Sequence, residues 1–423
     1  MILPDLRKDL QNRRLTQLGV LLFAVGVAIT IAEMFLTRIA LDAAIYRRGV
    51  VAYLHDAPLY SNYIQVGDVS LPFIYPPFGA LFLSPLGFFP ISDSAAGYTI
   101  VILTSLLLLI CTYILIRQLF SDYPPRSIAL MTAGTWAVGL ALEPIRLNNH
   151  FGQINVILMA LVVLDILPRK RTLPQGWLIG IAAAIKISPL AMLLFFLLKK
   201  DLRPIITAGI SGIIATILAT IFRPNIAKEY FSVLSNIGLG GEIGVDPTYT
   251  SNSSLKAVVM RWFPSRSYLE SAEGTAILNT VWVILVLLTI ALGAWLILQL
   301  LRRGWDTEAW LTNAVIMLLI SPISWSHHWV WLALLLPVSL IRICRTPAHS
   351  RPLALVTTLW FVLCLTVPPK WWFGDGIDVF TLPWYATILV SDYVWLAIAW
   401  LIALWWLVRH EPTTISKERS VAN

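Results

Sequence analysis

Apolar residues run along this chain in long, nearly unbroken stretches separated by short polar segments. The stretches at 18–36, 100–119 and 277–301 each reach the roughly 20 residues a helix needs to cross a bilayer. The pattern predicts spans near 15–35, 95–117, 126–143, 154–168, 202–222, 274–301, 352–367 and 386–408. Other segments break it. Between Arg171 and Lys199 about 25 residues are available to leave and return, where two full crossings need about 40. A bend is therefore expected at Ile185-Lys186-Ile187-Ser188-Pro189, at membrane depth or its outer rim, where protein or water rather than lipid surrounds it. The same arithmetic between Arg303 and Arg342 makes 321–328 an outer turn. Segment 78–90 is apolar, bounded by prolines and too short to cross, so it reads as a re-entrant or interfacial helix. The expected fold is an all-α integral membrane bundle of roughly 10–12 transmembrane helices, a single domain over residues 1–423.

Basic residues set the orientation. Most of the 31 Lys and Arg sit in short clusters at span ends: Arg7, Lys8, Arg13 and Arg14; Arg117 and Arg126; Arg169, Lys170 and Arg171; Lys199, Lys200 and Arg203; Arg302 and Arg303; Arg342, Arg345 and Arg351; Arg409, Lys417 and Arg419. Such clusters mark cytoplasmic loops, so both termini are expected inside. Every unusual polar sequence then falls outside, at the extracytoplasmic face of a multi-pass plasma-membrane protein. The first outer loop, 36–94, carries Asp42, Tyr46, Arg47, Arg48, His55, Asp56, Tyr60 and Tyr75. A second, at 143–155, carries Arg146, Asn148, His150, Gln153 and Asn155. The large loop 223–273 carries Asn252 and Lys256; the outer turn carries Trp325, His327 and His328; and 368–384 carries Lys370, Asp375 and Asp378.

Composition agrees and excludes other classes. The chain is 58% hydrophobic and 13% charged, about half the charge of a soluble domain. Its 18 Trp and 13 Tyr suit two lipid–water interfaces. The net charge of +8 is accounted for by the loop clusters, so nucleic acid is not an expected partner. The first apolar run is long and lacks a small-residue cleavage pattern, so it reads as a retained helix. Cys111 and Cys364 fall in apolar spans and Cys344 in a basic turn, which implies neither disulfide nor metal site.

One-sided clustering of Asp, His, Arg, Asn and Trp beside broken helices points to a site for a polar headgroup at the outer bilayer face. Asp42, just past the first span, reads either as a helix N-cap or as a carboxylate able to take a proton from an acceptor hydroxyl. Lys186 is a snorkelling lysine or the partner of a lipid phosphate. Arg47 and Arg48 are headgroup anchors or substrate ligands. On a helix, His327 and His328 point about 100° apart, so one of them is expected at a site and the other in packing. There is no phosphate-cradling loop and no metal-ligand spacing.

In this order, these motifs resemble glycosyltransferase family 87, GT-C-type membrane enzymes. The matching pieces are Asp42 leading to Tyr46; Pro72-Phe73-Ile74-Tyr75-Pro76-Pro77; Asn148 to Asn155 around Gly152-Gln153-Ile154-Asn155; Gly180 to Pro189 with Lys186; Asn252 to Leu255; and Ser321 to Trp331. Together they cover roughly residues 15–340. The Ser-Pro-Ile-Ser-Trp-x-His-His-Trp turn is most similar to the family's phosphatidylinositol-mannoside mannosyltransferases. The resemblance implies mannose transfer from a polyprenyl-phosphate mannose donor to a glycolipid acceptor such as a phosphatidylinositol mannoside or lipomannan, with inversion to an α-mannoside. It implies catalytic roles for Asp42 and for a histidine of the His327–His328 pair. It implies substrate contacts from Tyr46, Arg47, Arg48, Tyr75, Arg146, Asn148, His150, Gln153, Asn155, Lys186, Asn252, Lys256 and Trp325. Asp42 is followed by Ala43 rather than by a second acid, which supports this family over metal-dependent relatives, so no cofactor is expected. An arabinofuranosyltransferase using polyprenyl-phosphate arabinose is the competing enzyme reading. A lipid-linked sugar flippase is the competing non-enzyme reading, but a transporter is expected to show two related halves and polar groups at the midplane.

Overall fold

The computed structural model describes residues 13–36, 40–168, 170–239 and 244–411. Arg7, Lys8, Arg169, Lys417 and Arg419, and with them the expectation for both termini, lie outside the described residues. Among the described residues seven helices are long and apolar enough to cross a membrane: Arg14–Leu36, Asp93–Leu119, Arg203–Ile221, Ala272–Arg302, Ser326–Arg345, Arg351–Trp371 and Asp392–His410. An eighth is gained if Pro125–Ala141 and Glu143–Phe151, bent by 65°, count as one span. The sequence-based count of ten to twelve is higher because it takes in short helices, among them Asn155–Ile166 and Ser188–Leu198. Large apolar side chains on the long spans face outward, Ile213 and Leu287 each being 62% exposed. Exposed apolar surface on that scale is stable against lipid rather than water.

The expected breaks have local causes. Lys186 is extended (φ −150°, ψ 130°) and ends the Trp177–Ile185 helix. Pro189 has no N–H, and its ring would clash with the carbonyl of Ile185 in a continuous helix, so the chain restarts as a 3₁₀ turn at Ser188–Met192. The 321–328 turn likewise separates Asp306–Ile320 from a 3₁₀ segment, Ser326–Trp331. Segment 78–90 is two short helices, Pro77–Phe82 and Pro85–Phe88, each opened by its proline.

Two features depart from the sequence reading. The 143–155 segment, read as a loop, is a helix over Glu143–Phe151, with Pro144 in its first turn. Glu143, Ile145, Asn148 and Asn149 turn inward while Arg146 and His150 face out, so polar residues lie on both faces and the segment is too polar overall to stand out among apolar spans. The expected all-α chain also contains one hairpin, Tyr63–Val66 against Val69–Pro72. Its two-residue turn, Gly67-Asp68, has Gly67 at φ 59°, the conformation such turns require.

The described residues divide into two compact units, one made of those within Leu6–Leu193 and Asp201–Pro247, the other of those within Leu194–Lys200 and Thr248–Asn423. In the first, the Leu41–Leu54 helix buries Ala43, Ala44, Tyr46, Gly49, Val50 and Tyr53 in an apolar cluster with Phe73, Tyr75, Ala80 and Ile185. In the second, buried Trp329, Trp360 and Tyr393 pack together with ring centroids 5.7–6.0 Å apart and interplanar angles of 57–65°.

Candidate active site

The Leu41–Leu54 helix starts after Ala40, so Asp42 lies in its first turn and is not the N-cap. Small residues surround it, and Gly152 uses the space they leave. Gly152 (φ 65°) closes the Glu143–Phe151 helix: its N–H donates to Asn149, and the N–H of Gln153 donates to Asn148. This is a Schellman turn, which favours glycine at the left-handed position. A Cβ on Gly152 would sit 2.7 Å from Ala43 Cβ and 2.8 Å from Ala40 Cβ. The turn thus delivers Gln153 beside Asp42 because glycine permits the close approach. Gly152→Ala is expected to destabilise the protein by at least about 1 kcal/mol from backbone strain alone. It should also lower turnover by moving Gln153, read as a lower melting temperature together with reduced activity in the surviving folded protein.

A buried polar network spreads from this point. Gln153 hydrogen-bonds the Asp42 carboxylate, and its Oε1 accepts from Tyr46 at 2.8 Å and Tyr75 at 3.2 Å. The two tyrosine hydroxyls meet at 2.7 Å, their rings perpendicular. Tyr75 is held from behind, where its carbonyl accepts from Tyr60 at 2.8 Å. Pro76 and Pro77 stiffen the chain that follows. Asn148 Nδ2 donates to the Gln153 carbonyl at 3.0 Å and Thr104 Oγ1 at 3.3 Å. Asn155 Nδ2 donates to Asn148 Oδ1 at 3.3 Å, and Asn155 Oδ1 accepts from Lys186 Nζ at 3.1 Å. Lys186 Nζ also lies 5.5 Å from the centre of the Tyr75 ring. Gly79 lets the Pro77–Phe82 helix approach the Lys186 break, since a Cβ there would lie 3.0 Å from the Ile185 carbonyl oxygen.

Exposure divides this cluster in a useful way. Tyr46, Tyr75, Asn148, Gln153 and Asn155 are buried, whereas Asp42 and Lys186 remain partly exposed. A base and a cation can thus be reached from outside while the side chains that support them are enclosed. Enclosure pushes the Asp42 carboxyl up to about 6, against the opposing hydrogen bond from Gln153 and the charge of Lys186. Burial also raises the Tyr46 and Tyr75 phenols, which therefore stay protonated. Among the described residues no group of three or more His, Cys, Asp and Glu is placed to hold a metal ion.

Other sequence candidates have different surroundings. Arg47 Nε and Arg48 Nη2 each bind Asp93 at 2.6 Å, tying the Leu41–Leu54 helix to the start of the Asp93–Leu119 span. The Arg146 side chain is 55% exposed and lies 3.7 Å from Glu33. His150 is exposed and packs edge to face on Phe151. Asn252, Lys256, Trp325, His327 and His328 belong to the Thr248–Asn423 unit. There Asn252 Oδ1 accepts from the Ser324 N–H at 2.9 Å, and Asn252 forms a β-bridge with Trp325. Lys256 is buried, with Nζ 4.7 Å from the Trp282 ring centre. His327 is buried and His328 partly exposed, with their rings 4.9 Å apart and nearly perpendicular. The sequence reading missed Thr104, inside an apolar span, and Asp392, at the start of another, where a lone polar letter shows no partner.

The family model for glycosyltransferase family 87 matches residues 73–322, which takes in Tyr75, Asn148, Gln153, Asn155, Lys186 and Asn252. Likeness to whole proteins extends further. A polyprenol-phosphate-mannose-dependent alpha-(1-2)-phosphatidylinositol mannoside mannosyltransferase of Mycobacterium tuberculosis is 31% identical, covering 94% of this chain and 92% of its own. The protein of the same name from Mycolicibacterium smegmatis is 29% identical over 86% of this chain and 83% of its own. A phosphatidylinositol pentamannoside mannosyltransferase from M. tuberculosis is 29% identical over 97% and 91%. The crystal structure of ArnT from Cupriavidus metallidurans bound to undecaprenyl phosphate is a more distant likeness, with 14% identity and a TM-score of 0.41 over 92% of this chain and 76% of that one. On the family match and the full-length identities, the chain belongs to glycosyltransferase family 87.

Proposed function

We propose that this protein is an inverting mannosyltransferase that moves mannose from polyprenyl-phosphate mannose to a hydroxyl of a phosphatidylinositol mannoside, making an α-linked product at the extracytoplasmic face of the membrane. The observation that carries the reading is the pairing of partly exposed Asp42 and Lys186 on one buried network. The names of the full-length relatives supply the donor and acceptor classes.

The chemistry follows from the residues. A sugar hydroxyl is a weak nucleophile and needs a base within reach of its proton. Asp42 takes that proton as the acceptor oxygen bonds to the mannose anomeric carbon. The anomeric carbon–oxygen bond to phosphate breaks on the opposite face, and polyprenyl phosphate leaves with the electron pair. Lys186 stabilises the charge that grows on the departing phosphate. The buried supports hold both groups before substrate arrives, which limits the reorganisation the reaction demands. Tyr46 and Tyr75 hold Gln153, and Gln153 holds Asp42. In this scheme the site supplies one carboxylate among the described residues, and no metal is assigned a role.

The scheme fixes a pH dependence. A base must be unprotonated to act, and Asp42 is raised to about 6. Turnover is therefore expected to fall as pH drops through about 6, rather than near the usual carboxylate range of about 4. A rate measured between pH 4.5 and 8 at saturating substrates checks this; a profile flat down to pH 5 would remove Asp42 as the base.

Donor identity is tested by giving the purified protein radiolabelled polyprenyl-phosphate mannose or polyprenyl-phosphate arabinose with a phosphatidylinositol mannoside acceptor. Label should pass to the glycolipid from the mannose donor alone and be released by an α-mannosidase. Transfer from the arabinose donor in its place would establish the competing reading, and transfer from neither would defeat both.

A further inference from the structure

Three aromatic side chains far apart in sequence gather within the Thr248–Asn423 unit: Tyr249, Trp325 and Trp371. The centre of the Tyr249 ring lies 6.3 Å from that of Trp325 and 6.1 Å from that of Trp371, with interplanar angles of 56° and 59°. Rings tilted in this way do not lie flat on one another, and all three stay partly exposed. Beside them the exposed carboxylate of Asp375 accepts a hydrogen bond from the Tyr249 hydroxyl.

A buried ionic network fixes all three. Lys370, next to Trp371, is fully buried. Its Nζ lies 3.0 Å from Asp392 and donates to Ser253 Oγ at 3.0 Å and Ser326 Oγ at 2.9 Å. Ser326 follows Trp325, and Trp325 is bridged to Asn252. Arg261, also buried, donates to the backbone carbonyls of Thr248, Tyr249 and Asn252. Each aromatic residue thus adjoins, or itself accepts, a bond to a buried charge. A buried ion pair is a poor way to gain stability compared with apolar packing. This one joins the segments that carry Ser253, Ser326 and Asp392 to a single buried ammonium.

We infer that Tyr249, Trp325 and Trp371, with Asp375, form a binding site for a pyranose ring of the glycan acceptor. The inference rests on the proposed function for the identity of that ligand. A pyranose has a C–H face that packs on aromatic rings and a hydroxyl rim that donates to a carboxylate. Rigid aromatics supply that contact at small entropic cost, the more so when the rings are already fixed. Tryptophans that only anchor a protein at the lipid interface need neither a shared cluster nor a carboxylate beside them.

The test uses the full-length protein in detergent. Phosphatidylinositol mannoside freed of its acyl chains is the probe, and saturation-transfer NMR measures its binding without donor. Trp371→Leu should weaken binding about tenfold and Asp375→Asn about threefold. Acceptor KM should rise by matching factors while donor KM holds. Trp371→Phe, which keeps an aromatic face, should recover most of the loss, a result that simple loss of packing volume does not predict. Asp375 is exposed, so its variant carries the test if Trp371→Leu does not fold. Binding and acceptor KM equal to wild type in the folded variants would overturn the site and leave the aromatics as interfacial anchors. If the headgroup binds in a Trp371-dependent way but no mannose is ever transferred, the site stands and the proposed reaction falls.

Discussion

Replacing Asp42 with Asn is expected to lower turnover by about 10²–10⁴-fold, the usual contribution of a general base. Asparagine keeps the shape and one accepting oxygen, so substrate KM values should change little. Stability should not suffer. Enclosure raises the Asp42 carboxyl, which means the charged form is disfavoured where it sits, and a neutral amide relieves that cost. A first-turn carboxylate also interacts favourably with the helix N-terminus, but at about 0.3–1 kcal/mol that effect touches folding and not the rate. Single-turnover rates with the two proteins at equal folded concentration, alongside their melting temperatures, separate the two roles. A near-normal rate would take Asp42 out of the reaction and direct attention to His327 and His328.

Lys186→Met is expected to raise the donor KM by about 10–100-fold, because a hydrogen bond to a charged group is worth about 1.5–3 kcal/mol. Methionine retains most of the apolar stem, and Lys186 ends a helix instead of sitting inside one, so folding should persist. The acceptor KM should be nearly unchanged. Measuring binding of polyprenyl phosphate itself, without sugar or acceptor, isolates the contact. If the variant is lost from the membrane while the surviving molecules bind donor normally, Lys186 is a structural residue.

The long spans are legible in sequence because a bilayer demands about 20 apolar residues, and few other folds present them so often. The break at Lys186 is legible for a related reason: too few residues separate two basic clusters, and Pro189 marks where the helix cannot continue. Tyr46, Tyr75, Asn148, Gln153, Asn155 and Lys186 stand out as polar letters in apolar company, and the structure gathers them on one network. Pairing across the chain is another matter. Arg47 and Arg48 look like free cations until Asp93, some 45 residues on, is folded against them. The fully buried Lys370 looks like a loop residue until Asp392 and two serines surround it. The Glu143–Phe151 helix was hidden because buried Asn148 and Asn149 put polar residues on its inner face, where hydropathy reads them as loop. The Gly67-Asp68 hairpin signal was present in the letters but lay inside a segment dominated by its prolines and aromatics.

The proposed reaction requires donor phosphate and acceptor hydroxyl to meet on the Asp42–Lys186 cluster. A structure of the Asp42→Asn protein, slowed enough to hold both substrates, measures this most directly. The donor phosphate should lie within hydrogen-bonding distance of Lys186 Nζ, and the acceptor hydroxyl beside residue 42 on the far face of the anomeric carbon. A donor phosphate bound away from Lys186, or an acceptor approaching from the phosphate side, would contradict it.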